Sequence, residues 1–67
     1  MQISFIGAGK VGVSLGKYFI SKGRKVGGYY SLSPKSAAWA ANFTNTKQYQ
    51  SIEEIISSSD MIFFTVP

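Results

Sequence analysis

The spacing Gly7-Ala8-Gly9-Lys10-Val11-Gly12, directly after the apolar run Ile3-Ser4-Phe5-Ile6, constrains this chain more than any other feature. Three glycines at these intervals let a strand turn at once into a helix. The first permits the tight turn, the second leaves no side chain between the backbone and whatever approaches it, and the third lets the helix lie close on the sheet. If that helix starts at Gly9 or Lys10, its unpaired N–H groups and the positive end of its dipole face the space above the turn. A diphosphate suits such a space. Glycine clusters also make plain turns, so the rest of the chain must supply the remainder of the site.

The order of elements supports it. Residues 3–6 form a first strand, rich in branched and aromatic side chains as in a parallel sheet covered on both faces. Val11, Leu15, Tyr18 and Phe19 then recur at the spacing of one helical face, with Lys10, Lys17, Ser21 and Lys22 off it. Gly12 and Gly16 lie four apart on that helix, each costing about 1 kcal/mol of propensity. Close packing at Gly12 would offset the cost; Gly16 is either packed or merely tolerated. Gly23 ends the helix as a left-handed residue. Residues 25–30 read as a second strand, whose Gly27-Gly28 pair fits close approach of another backbone. Ser33-Pro34 opens a second helix as N-cap and first turn, and residues 42–46 break it. Residues 47–50 form at most a short edge strand. Ser51-Ile52-Glu53-Glu54 is a capping box, a structural use of two carboxylates that could otherwise suggest acid/base chemistry. Residues 61–66 are a continuous apolar run, expected as a strand buried on both faces.

Right-handed crossovers between these strands give a parallel sheet ordered 3-2-1-4, flanked by helices, with the glycine turn beside the switch point between strands one and four. The expected fold is therefore an α/β, Rossmann-type sheet in one domain over residues 1–67, truncated after the fourth strand.

Composition removes several alternatives. The chain has no cysteine and no histidine, so thiolate metal sites, disulfides and the commonest general base are absent from its 67 residues. No metal site is expected. Its formal charge of +4 comes from seven Lys and Arg against three acids, but the basic residues are scattered without a tract of the kind nucleic-acid binders use. The field suits a ligand with several phosphates. No basic leader precedes the apolar start, and no run approaches the roughly 18 residues of a membrane span. A soluble, cytoplasmic protein is expected.

A dinucleotide site is tested at the end of the second strand, where an Asp or Glu about 20 positions beyond the glycines would hold the ribose 2′-hydroxyl of NAD. The sequence there is Tyr29-Tyr30-Ser31-Leu32-Ser33-Pro34-Lys35, and no carboxylate occurs before Glu53. Ser31, Ser33, the amides of the second helix and Lys35 could bind a 2′-phosphate that a carboxylate would repel. This favours NADP, with NAD possible. The plainer alternative leaves Ser31 in a turn, Ser33 as a cap and Lys35 in solvent. FAD proteins and methyltransferases also want an acid at this position.

With these residues in view, the Ile6-to-Gly12 turn, the Tyr30-Ser31-Leu32-Ser33-Pro34 segment and the ending Ser59-Asp60-Met61-Ile62-Phe63-Phe64-Thr65-Val66-Pro67 resemble one superfamily along essentially the whole chain. It is the N-terminal domain of the 6-phosphogluconate-dehydrogenase-like NAD(P)-binding proteins, which include pyrroline-5-carboxylate reductases, prephenate dehydrogenases and Rossmann-like oxidoreductases. The resemblance implies that Gly7, Gly9, Lys10 and Val11 contact the pyrophosphate and that Ser31 and Ser33 receive the 2′-phosphate. It also implies that Thr65, Val66 and Pro67 pass under a cofactor ribose. Many relatives carry an Arg where Leu32 stands; here Lys35 would act instead, as a point charge without the guanidinium fork.

Relatives of this kind are two-domain proteins whose helical C-terminal domain supplies the substrate pocket and often a dimer interface. The expectation is therefore a fragment, inactive alone, that holds NADP for hydride transfer to or from a small carbonyl, imine or hydroxy compound. No residue is assigned to catalysis. The competing expectation is a non-catalytic module that senses a dinucleotide or engages a partner.

Overall fold

A computed structural model describes residues 1–65. The chain runs β1 (Gln2–Ile6), α1 (Lys10–Ser21), β2 (Lys25–Tyr30), α2 (Pro34–Thr44), β3 (Lys47–Gln48), α3 (Ile52–Ser58) and β4 (Met61–Phe64). The sheet has the order β3-β2-β1-β4, and every pairing in it is parallel. This is the Rossmann-type arrangement expected from the sequence.

Strand alternation divides the sheet into two faces. Ile3, Phe5 and Tyr29 point to one face and are buried there with Val13 of α1 and Ala40 of α2, against which Leu15, Phe19, Val26 and Phe63 pack. Phe5 stacks on Tyr29, with ring centroids 5.0 Å apart and planes 12° from parallel. Ser4 points the other way, toward the α3 side, where its hydroxyl accepts a hydrogen bond of 2.6 Å from Ser59.

The inward face of α1 agrees with the periodicity reading at Leu15 and Phe19, which pack against the core, and differs from it at Val11 and Tyr18. Val11 is 64% exposed and Tyr18 is 55% exposed, whereas Gly12, Val13 and Gly16 are buried. The sheet takes the side of the helix that has the least side chain, because Tyr29 fills the space between. A Cβ on Gly16 would collide with the Tyr29 hydroxyl, so this glycine is packed, not tolerated. That hydroxyl donates to the Gly12 carbonyl at 2.9 Å, and burial pushes its pKa up to about 12.

Other local signals act as expected, with shifted limits. Gly23, at φ 76°, closes α1: its N–H donates to Ile20 and the Arg24 N–H to Phe19, the two bonds of a Schellman end. α2 continues through Asn42 and Phe43 to Thr44, beyond the expected break. The Thr44 hydroxyl returns a 2.7 Å bond to the Ala40 carbonyl, and Asn45 takes the left-handed conformation that stops the helix. β3 has only two residues and lies at the sheet edge. At α3 the Glu54 N–H bonds the Ser51 hydroxyl, but the Glu54 carboxylate reaches back one residue further than in the usual capping box, to the Gln50 N–H at 2.6 Å.

β4 corrects the expectation of a strand buried on both faces. It ends at Phe64, which is 71% exposed, because β1 is its neighbour on one side and the other side is an open edge among the described residues. Val66, expected in the strand, lies outside the described residues. Among the described residues, no helix is long and apolar enough to cross a membrane.

Candidate dinucleotide site

The glycine turn is built by three strand ends. Gly7 donates its N–H to the Tyr30 carbonyl of β2 at 2.7 Å, and Thr65, just past β4, donates its N–H to the Ile6 carbonyl at 2.9 Å. The Thr65 hydroxyl also donates to the Gly7 carbonyl at 3.1 Å. Gly7 adopts φ 109°, where an L side chain is strained, and a Cβ there would lie 2.9 Å from the Thr65 carbonyl group. A Cβ on Gly12 would lie 2.6 Å from the Thr65 hydroxyl oxygen. Gly12 is thus a packing residue behind the turn: it lets α1 sit on Thr65, and Thr65 on Gly7.

Gly9 is different. No atom lies within 4 Å of a Cβ built on it, so its backbone opens onto solvent. It is the N-cap of α1 and supplies no side-chain cap. The first N–H groups of a helix have no intrahelical partner. At α2 the Ser33 side chain meets this need through the Ser36 N–H, and at α3 Ser51 does so through Glu54. At α1 those donors are left to the space above. The first residue of α1 is Lys10 and its first turn holds no acid, whereas the first turn of α3 holds Glu53 and Glu54. A cation at a helix N-terminus opposes the dipole by about 0.3–1 kcal/mol, an arrangement that an anion would reverse.

These groups open into a groove of about 1140 Å³ at the carboxyl ends of the strands. Of the sequence-derived site residues, it brings together Gly7, Gly9, Lys10, Val11, Ser31, Ser33 and Thr65. Gly12 lies behind the groove and Lys35, exposed in the first turn of α2, lies off its lining. Val66 and Pro67 fall outside the described residues. Ser31, Ser33 and Ser36 form a chain of hydroxyls at one end: the Ser33 N–H donates to the Ser31 hydroxyl at 3.1 Å and the Ser36 hydroxyl to that of Ser33 at 3.2 Å.

Several lining residues escape a sequence reading. Ser36 is one; its place a single turn after the Ser33 cap could have drawn attention to it. Leu32, 93% exposed, and Ile52, at the start of α3, border the groove with Phe64. Ile52 carries no sequence signal, because its position depends on how α3 returns across the sheet. Among the described residues, no group of acids could hold a metal ion.

Residues 2–67 match the model of the family described as "NADP oxidoreductase coenzyme F420-dependent". No curated protein sequence matches the chain. Among solved structures the chain is similar to UDP-N-acetylglucosamine 3-dehydrogenase GnnA from Acidithiobacillus ferrooxidans in two crystal forms, with TM-scores of 0.86 and 0.90 and 18% identity in each. The similarity covers 100% of this chain and 22% of the dehydrogenase. At that identity it concerns the fold alone. The chain spans about a fifth of the length of these structures.

Proposed function

This chain belongs to the NADP oxidoreductase, coenzyme F420-dependent, family, and from that premise we propose that its NAD(P)-binding Rossmann domain holds NADP for an oxidoreductase. The observation that carries the reading is the uncapped N-terminus of α1, opening with Lys10 above an unobstructed Gly9, while α2 and α3 are both capped by serine. The residues fit a pyrophosphate.

Gly7, Gly9, Lys10 and Val11 would hold that pyrophosphate, mainly through backbone N–H groups, and Gly12 and Thr65 keep the turn in place from behind. Ser31 and Ser33, with Ser36 beside them, would bind the 2′-phosphate, and Lys35 would add a positive charge from the same helix turn. No carboxylate precedes Glu53 to repel it. When bound, the nicotinamide supplies hydride transfer, here to or from a small carbonyl, imine or hydroxy compound. The family's description favours coenzyme F420 as a second candidate for the hydride partner. The reading includes a cytoplasmic protein, residues 1–67 as part of a longer two-domain chain that carries the substrate site, and a homodimer.

Titration of the protein with NADPH and NADH, followed by cofactor fluorescence, tests this. Saturable binding with NADPH several-fold tighter is expected. Binding of neither would overturn the cofactor reading, and tighter binding of NADH would overturn the roles of Ser31, Ser33 and Lys35 alone.

A further inference from the structure

Tyr29 is the largest fully buried side chain among the described residues, yet it carries a hydroxyl, and burying a hydroxyl costs stability unless it is bonded. Here it donates to the Gly12 carbonyl of α1 at 2.9 Å, away from solvent. The reach depends on two other residues. Phe5 stacks on the ring at 5.0 Å between centroids, and Gly16 leaves open the space on α1 that the hydroxyl enters.

The path continues beyond Gly12. The peptide unit whose oxygen accepts from Tyr29 also carries the Val13 N–H, which donates to the Gly9 carbonyl at 3.0 Å. That carbonyl belongs in turn to the peptide unit that carries the Lys10 N–H, the first amide of α1, which has no intrahelical acceptor. Two peptide units thus join a buried phenol to an amide at the open end of the helix. Val13 is 6% exposed and Tyr29 0%, so water screens little of this path. Hydrogen bonds in such a chain polarise one another. A donor at the Gly12 oxygen makes the Val13 N–H more acidic, and its stronger bond to the Gly9 oxygen does the same to the Lys10 N–H.

We propose that Tyr29 is a positioning residue of the dinucleotide site: it sets the first turn of α1 at its depth on the sheet and makes the Lys10 amide a stronger donor to the pyrophosphate. This role rests on the NAD(P) reading of the groove and adds to it a residue that touches no ligand. It concerns the pyrophosphate, which NADP and NAD share, so the hydroxyl does not choose between them; that choice stays with the Ser31 end of the groove. A hydroxyl that served the core alone would leave the Lys10 amide as it is.

Tyr29→Phe keeps the ring and removes only the donor. In ligand-free, isotope-labelled protein the Val13 and Lys10 amide protons should both move upfield. In the fluorescence titration NADPH and NADH should each bind about twofold to fivefold more weakly, with their ratio unchanged. Asn45→Ala supplies the comparison: it burdens the left-handed stop at the far end of α2, φ 57°, and lowers stability without touching α1. It should leave both affinities and the Lys10 signal unchanged. In the unaltered protein the Tyr29 hydroxyl proton should give a slowly exchanging signal with a cross-peak to the Gly16 Hα protons, a measurement that needs no variant. An unmoved Lys10 amide, undiminished affinities or a loss confined to NADPH in Tyr29→Phe would each overturn the role. So would an equal loss of affinity in Asn45→Ala, or the absence of the hydroxyl signal. Binding of neither cofactor to the unaltered protein would overturn the cofactor reading itself and this role with it, whereas full-strength binding to Tyr29→Phe overturns the role alone.

Discussion

Gly16→Ala gives the sharpest test of how α1 is seated. In a helix whose glycine was merely tolerated, alanine would stabilise the protein by about 1 kcal/mol through propensity. Here the new Cβ would fall on the Tyr29 hydroxyl, with Tyr29 Cζ at 3.2 Å and Phe5 Cε2 at 3.6 Å. Tyr29 cannot move aside easily: it is fully buried, stacked on Phe5 and hydrogen-bonded to the Gly12 carbonyl at 2.9 Å. Overpacking of this kind costs about 1–3 kcal/mol, and loss of the hydrogen bond about 1 more. Less the propensity gain, Gly16→Ala should destabilise by about 1–3 kcal/mol, read from the midpoint of urea unfolding at unchanged slope. Tyr29→Phe removes the obstructing oxygen and should cost about 1 kcal/mol by itself. In that background Gly16→Ala should be close to neutral, leaving a coupling of about 1–3 kcal/mol between the sites. A stabilising Gly16→Ala in the unaltered protein, or the same cost in both backgrounds, would refute the packing argument.

Gly12→Ala should lower dinucleotide affinity about tenfold or more in the same fluorescence titration, because its Cβ would press the Thr65 hydroxyl at 2.6 Å and the Gly7 carbonyl oxygen at 3.1 Å. Ser31→Asp should shift preference from NADPH toward NADH, since the new carboxylate repels a 2′-phosphate and can accept from a 2′-hydroxyl. Ser51→Ala removes the cap of α3 and should cost about 1 kcal/mol in the unfolding midpoint. Burial pushes the Tyr29 phenol up to about 12, above the ordinary phenol value of about 10, so the unfolded chain ionises first and stability falls as pH rises from about 10 to 12. Fully expressed, that loss is about 2–3 kcal/mol and should be absent in Tyr29→Phe. Burial acts to raise the Tyr49 phenol too, but hydrogen bonds with Ser58, Ser4 and Gln2 and the Lys47 charge outweigh it and lower its pKa. Its contribution therefore has the opposite sign, and comparison with Tyr29→Phe at each pH separates the two.

The sheet order, the caps at Ser33 and Ser51 and the end of α1 at Gly23 were legible because each depends on local chemistry or on the handedness of crossovers. The face of α1 was legible only in part: Leu15 and Phe19 pack against the core as their spacing predicts, whereas Val11 and Tyr18 are exposed. Periodicity weighs side chains, whereas this helix docks through Gly12 and Gly16, whose contribution is the absence of one; only the position of Tyr29 makes that visible. The break placed at Asn42 came too early because Thr44 bonds back to Ala40 and Asn45 accepts the left-handed turn. The exposure of Phe64 could not be foreseen from an apolar run, since a run of this kind does not state how many neighbours its strand has. For the site, the glycine turn and the two serines after β2 identified most of the polar lining. Ser36, Leu32 and Ile52 entered through tertiary placement, and Lys35 lies farther from the groove lining than its sequence position suggests.

The open amides at the start of α1 are the proposed pyrophosphate seat. Amide resonances of labelled protein, followed while NADP⁺ and then NAD⁺ are added, test it most directly. The Gly9, Lys10 and Val11 amides should move first and furthest with either dinucleotide, and the Ser31, Ser33 and Ser36 signals should respond more strongly to NADP⁺. Saturable binding that leaves the Gly9, Lys10 and Val11 amides unmoved would contradict it.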